Sequence, residues 1–370
     1  MIRKAIGKLQ YLKSLALSKK INKQIIVIES DDWGSERIPS LEVRNALEKL
    51  GIDMYTNPHL TYDTLETVED LEVLEELLDY FYEKFDKKVK ITPNFITSNP
   101  DFNKIKEGKF QNYYFETFDK TYFKRDNNNN VINHINKLIA KDFFQPQFHG
   151  REHINANYWL EELKEGNQDF LNAFDLNCYA IDSKKIKKNR KNLMGALEYD
   201  NEQQKAFIED SIKIGHQIFE DVFGFKSTTF IAPRYVWNDD INSVFVNQGF
   251  THLQTVQVQK SFENSEYKNI YHYTGQKNRK HNIKYLVRNV YFEPAYGKID
   301  WVKSALDKID LAFKFKIPAI ITMHRINFVG GIDKTNRDNS LNQFKLLIEE
   351  IINKYPNVEF MSSAELTKIV

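Results

Sequence analysis

The chain has a single cysteine, Cys178, among 370 residues. That excludes an internal disulfide framework and a cysteine-built zinc site, and it is compatible with a reducing compartment. Charge of one sign is also lacking: 52 Lys and Arg face 51 Asp and Glu, for a net charge of +1. No global field therefore draws nucleic acid. No run of about 18 apolar residues exists, so no membrane-spanning helix is expected. The N-terminus lacks an unbroken apolar signal core with a small-residue cleavage site, and the sequence reads as that of a cytoplasmic protein. No G-x-G-x-x-G or Walker motif follows the first apolar run, which argues against a nucleotide-binding open sheet. There is no repeat of fixed period.

What is present suits one large domain or two ordinary ones. Hydrophobic residues make up 41%, enough for a sizeable core, and 27 Phe and 19 Tyr either fill that core or line a sugar groove. Residues 1–23 are basic without an acid, and Ile2, Ile6, Leu9, Leu12 and Ala16 recur at helical spacing. Such a helix either packs across one end of the domain or rests weakly on an anionic membrane surface. The remainder, 24–370, reads as a single domain. Ile25–Ile28 is a continuous apolar run, as in a buried parallel strand. Residues 67–85 predict a helix with a Leu71, Leu74, Leu78, Phe81, Phe85 stripe and a Thr67/Asp70 capping box. Further strands are predicted at 88–97, 143–149, 177–181, 227–232, 252–256, 318–324 and 358–361. Helices are predicted at 159–173, 200–223, 300–315 and 340–354. Strand followed by helix, repeated about seven times, predicts a parallel sheet with helices outside, either open or closed into a barrel. Segments 103–142, 183–191 and 257–290 read as insertions. The last is a candidate hairpin.

Both architectures bind ligands at the carboxyl ends of their strands. There the sequence supplies Asp31-Asp32-Trp33, then His149 to His153, then Pro233-Arg234-Tyr235 with Trp237, then His324. Each is weak alone. Their coincidence at strand ends is the signal. Two imidazoles and a carboxylate are a usual set for a hydrolytic metal site, and on a helical turn the His149/His153 spacing puts both rings on one face. The Asp31-Asp32 pair offers one residue as metal ligand and one as general base. His324 is the candidate acid, and Arg234 or Arg151 the candidate to orient the base. The remaining histidines, His59 among them, carry no such context. Glu29 is expected to pair with Arg288 or Arg151, and Glu293 is a lesser candidate for the site.

In this order the motifs resemble those of the polysaccharide deacetylase family, carbohydrate esterase family four. That resemblance implies a distorted (β/α)7 barrel and a divalent metal, zinc first. It implies Asp32, His149 and His153 as ligands, Asp31 as base, and His324 as acid. It also implies an acetylated carbohydrate as substrate, with the Tyr235 amide on an oxyanion. On the residues' own reading, Trp33 either stacks on the sugar or fills the barrel mouth, and Tyr235, Trp237 and Arg151 are further candidates for the sugar. Two motifs depart: Ile231 stands where the family carries Arg, and Gly297 stands ahead of Asp300-Trp301 where it carries Asp. The expectation is removal of an N- or O-linked acetyl group from a cytoplasmic precursor of surface polysaccharide; the basic 183–191 stretch is either an ordinary solvated loop, the favoured reading, or a contact for that precursor's phosphates. The alternatives are an amidohydrolase opening a small cyclic amide and a sugar-binding protein that has lost catalysis.

Overall fold

Ile25-Ile26-Val27-Ile28 is apolar on both faces, and the computed structural model buries it on both. It begins a nine-residue strand, Ile25–Trp33, buried at every position. The structure describes residues 2–186, 193–263 and 266–370. The first strand pairs in parallel with Ile91–Ile96 on one side and Ala319–His324 on the other. From these the sheet extends along the order Lys284–Val287, His252–Thr255, Thr229–Ile231, Gln147–Gly150, Ile91–Ile96, Ile25–Trp33, Ala319–His324, Val290–Tyr291. Glu359–Met361 pairs with the start of the first strand. The two ends of this path are separated in the chain only by Arg288 and Asn289. The Arg288 amide donates to Thr255 and the Asn289 amide to Ile320. One interrupted strand thus changes neighbours midway and curls the parallel sheet into the expected (β/α)7 form.

Helices cover the outside. Val68–Phe85 starts at Thr67, where the capping box with Asp70 is complete, and buries Leu71, Leu74, Leu78 and Phe81. Each of these side chains contributes about 2 kcal/mol by leaving water. Glu202–Phe223 ends at Gly224, whose left-handed backbone (φ 76°) closes the helix. The N-terminal helix ends at Leu17, short of the expected residue 23. It docks through Leu15, Leu12 and Tyr11, whose hydroxyl donates to the Asn289 carbonyl. For residues 11–18 this matches the packing alternative.

Several expectations are corrected. Residues 159–173 form two helices, Ala156–Lys164 and Gln168–Asp175, because Gly166 (φ 75°) breaks the run. The stretch 177–181 is not a strand: it crosses the barrel mouth as irregular chain. The last long helix begins at Lys334 rather than 340. The 257–290 segment holds the expected hairpin, Val258–Glu263 with Glu266–Tyr271, but its end supplies the strand that curls the sheet. Lys187, Lys188, Arg190 and Lys191 of the basic stretch lie outside the described residues.

Candidate active site

The barrel interior is polar, and this decides what the site can be. Arg288 is fully buried. Its Nε donates to Glu29 (2.5 Å), and its two terminal nitrogens grip Asp31 at 2.6 and 2.7 Å. Thr322, Tyr235 and Gln254 accept from the same guanidinium. Asn94 donates to Asp31 from the neighbouring strand (2.8 Å). Burial alone would raise the Asp31 pKa, but Arg288 overrides it and holds the carboxyl far below its usual range. Asp31 is therefore a permanent carboxylate facing the cleft.

A regular strand would send Asp31 and Asp32 to opposite faces. The first strand avoids this with a register shift between Ser30 and Trp33 against its neighbour, and Asp32 takes a left-handed backbone (φ 78°). Both carboxylates then reach the cleft. Gly150 (φ 118°) turns the chain after His149. His153 follows on a bend rather than on a helical turn, so the expected one-face helical arrangement is replaced by a strand end plus a loop.

Asp32 Oδ1 lies 3.5 Å from His149 Nε2 and 3.2 Å from His153 Nε2. Ligand atoms about 2.1 Å from a tetrahedral ion stand about 3.4 Å from one another. The three donors thus have the spacing of a metal triad, and all three side chains are buried. His149 Nδ1 faces the Ile231 carbonyl at 2.9 Å, which leaves Nε2 as the ligating nitrogen. Burial first, then the nearby Arg37, keeps His153 neutral. These residues fit a divalent ion.

His324 is the register partner of Asp31, and its Nε2 lies 3.9 Å from Asp31 Oδ2. Its Nδ1 donates to Glu293 at 2.5 Å. Burial works against the imidazolium, but Glu293 outweighs it and lifts the pKa to about 9. Glu293 thus favours the charged form of the His324 ring. Glu293 is fixed in turn by the Asn327 side chain (2.8 Å).

The cleft above these groups encloses about 330 Å³ and is bordered by Arg37, His59, Asp182, Arg234, Tyr235 and Tyr296, among others. Of the expected sugar contacts, only Tyr235 lies there. Trp33 is buried under the barrel mouth against Phe95, Phe144 and Phe328. Trp237 is buried with its indole donating to Asn242. Arg151 points away, paired with Glu152 and stacked over Phe115. The Tyr235 amide donates to the Ala232 carbonyl and so is not aimed at an oxyanion. Arg234 lines the cleft, but Asp31 is oriented by Arg288, not by Arg234 or Arg151. Asp300 caps the helix Trp301–Lys314, away from the cleft. Sequence reading missed Arg37, which donates to Asp32 Oδ1 at 2.8 Å, and His59, on the short helix Pro58–Tyr62. The Asn57-Pro58 pair, a cap followed by proline at the first helical position, was the available signal for that helix.

Fold and site define a hydrolase-type parallel barrel with a metal-competent centre at its carboxyl face. A family model for glycosyl hydrolase family 57 matches residues 31–359, and the chain belongs to that family. This corrects the resemblance to the polysaccharide deacetylases, and with it the expected deacetylation and its cyclic-amide and binding-only alternatives. The acid pair, the spaced histidines and the final histidine identify a metal-competent barrel, not the bond it cleaves. No curated protein sequence matches the chain. Among solved structures, it is similar to the 4-alpha-glucanotransferase of Thermococcus litoralis (10% identity, TM-score 0.43), covering 94% of this chain and 40% of that one. It is also similar to a probable polysaccharide deacetylase of Pseudomonas aeruginosa PAO1 (8%, TM-score 0.48), covering 93% and 89%. A third similarity is to a putative polysaccharide deacetylase of Mycobacterium smegmatis (12%, TM-score 0.43), covering 96% and 92%. The chain spans less than half the length of the glucanotransferase.

Proposed function

We propose that the chain is a divalent-metal-dependent hydrolase of glycosidic bonds. The family supports the glycan and the bond. The observation that carries the metal dependence is the convergence of Asp32, His149 and His153 at 3.2–3.5 Å beside Asp31 and His324. Two-carboxylate glycosidases keep their carboxyl groups about 5–5.5 or 6.5–9.5 Å apart. Here the candidate acid, His324, and the Asp31 carboxylate lie 3.9 Å apart, closer than either separation.

Asp32, His149 and His153 hold the ion. When bound, it supplies Lewis acidity, zinc being the first choice for this donor set. Asp31 is ionised at every working pH and opposes the positive charge developing at the anomeric carbon. A water adds to the anomeric carbon as the glycosidic C–O bond breaks, and the proton that water sheds passes to Asp31. His324 gives its Nε2 proton to the leaving glycosidic oxygen, and Glu293 stabilises the imidazolium until that transfer.

The test pairs zinc stoichiometry with release of reducing ends from a panel of oligosaccharides. Wild type is expected to bind zinc tightly and to cleave. Asp31→Asn is expected to keep the zinc and lose about 100-fold or more in rate. Cleavage by wild type that survives complete chelation, or tight zinc retained by His149→Ala/His153→Ala, refutes the metal dependence.

A further inference from the structure

The Asp32 carboxylate has two oxygens, and the triad uses one. The other, Oδ2, is buried without a hydrogen-bond partner. His59 Nδ1 lies 3.8 Å from it and 3.9 Å from Asp63 Oδ2, and none of these three buried atoms makes a hydrogen bond. His324 completes a second group: Asp32, His59 and His324 each offer a ligand atom within 4.8 Å of the others. The His59 and His324 rings meet edge to face at 4.7 Å. Two orphaned polar atoms facing each other inside a cleft are costly unless something joins them.

We propose a second, weaker divalent-cation site at Asp32 Oδ2, His59 and His324, with Asp32 bridging it to the first, whose occupation inhibits the enzyme. The inference rests on the reading of Asp32, His149 and His153 as the primary site. Three features support it. The donor set is again two imidazoles and a carboxylate, a usual zinc set. His324 is backed by Glu293 at 2.5 Å, the carboxylate–histidine arrangement that supports a ligating imidazole. Asp32 Oδ2 makes no hydrogen bond, so the carboxylate is free to take a cation on that side.

The same geometry sets the order of filling. His59 stands 3.8 Å from Asp32, farther than the 3.2–3.5 Å of the first pair of imidazoles, so its side chain must move to close on an ion. The first ion repels the second, and Arg37 stands against their shared carboxylate at 2.8 Å. Glu293 holds His324 Nδ1, so an ion here takes Nε2. An ion at this position therefore removes the proton donor, and excess metal switches hydrolysis off.

The experiment is zinc binding to chelator-treated protein by equilibrium dialysis, on wild type, His59→Ala and the double variant His149→Ala/His153→Ala. Thermal unfolding of each verifies that it is folded, and His59→Asn serves if His59→Ala is not. Wild type is expected to take two ions, the second at least about tenfold more weakly, the lower end of what an unsupported ligand costs. The His59 variant is expected to keep the tight class and lose the weak one. Zinc titrations of wild-type turnover are expected to rise and then fall. A wild type that saturates at one ion, or a His59 variant that still takes two, overturns the second site while leaving the primary one standing. Persistence of the tight class in the double histidine variant overturns the primary site and this inference with it.

Discussion

Replacing Glu293 by Gln removes a charge from His324 while leaving an oxygen to accept from its Nδ1. In the wild type, burial opposes the imidazolium and Glu293 more than compensates, giving a pKa of about 9. Measured from an ordinary value near 6.5, that interval corresponds to roughly 3 kcal/mol of preference for the charged ring. Without the carboxylate, burial is opposed only by the more distant Asp32 and Asp31, and the pKa is expected to fall to about 6.5 or below. At pH 8 the protonated fraction then drops about 30-fold. The direct assay is the NMR titration of His324 in chelator-treated wild type and Glu293→Gln. In the metal-loaded enzyme the alkaline limb of turnover lies lower in both proteins, because a cation repels the imidazolium, but the gap between them persists. Stability carries the same sign. A pKa raised by folding contributes fully below about 6.5 and is lost as pH rises through about 9, so the two proteins converge in stability above pH 9. A variant that still titrates above about 8 refutes Glu293 as the cause.

Two further substitutions test the scaffold. Arg288→Met leaves Glu29 and Asp31 buried without their shared partner and is expected to cost about 3–5 kcal/mol in urea unfolding, against no loss if the pairing were incidental. Gly34→Ala would bring a methyl within 2.5 Å of the Ile96 carbonyl at φ +79°, and about 1–3 kcal/mol of destabilisation is expected by the same method.

Much of the architecture was legible because it depends on local rules. The Ile25–Ile28 run and the Thr67/Asp70 cap each announce an element within a few residues, and the motif residues sit where those elements end. The strand from Lys284 to Tyr291 was not legible. Arg288 and Asn289 interrupt its apolar pattern, and periodicity cannot distinguish a polar group buried in a barrel from one in a loop. Sequence adjacency misled in the same way. Trp33 and Arg151 stand beside site residues, but both pack away from the cleft, where apolar and aromatic neighbours take up their rings and stems. His59 had the opposite problem: it reaches the cleft from a five-residue helix with no apolar stripe to mark it.

The bond was misread for a related reason. In the proposed reading Asp31, Asp32, His149, His153 and His324 handle an ion and protons, tasks common to many hydrolyses. Selectivity lies in how those groups are held and in what stands opposite them, and there the chain departs from the motifs it resembles. Where an Arg was expected, Ile231 contributes only its carbonyl, to His149. The guanidinium that fixes Asp31 comes instead from Arg288, on the strand that curls the sheet, and it fixes Asp31 through two hydrogen bonds at 2.6 and 2.7 Å. A base gripped so tightly is ionised but weak. It suits a reaction in which negative charge must stand opposite a developing cation, and this is the demand that glycosidic cleavage makes.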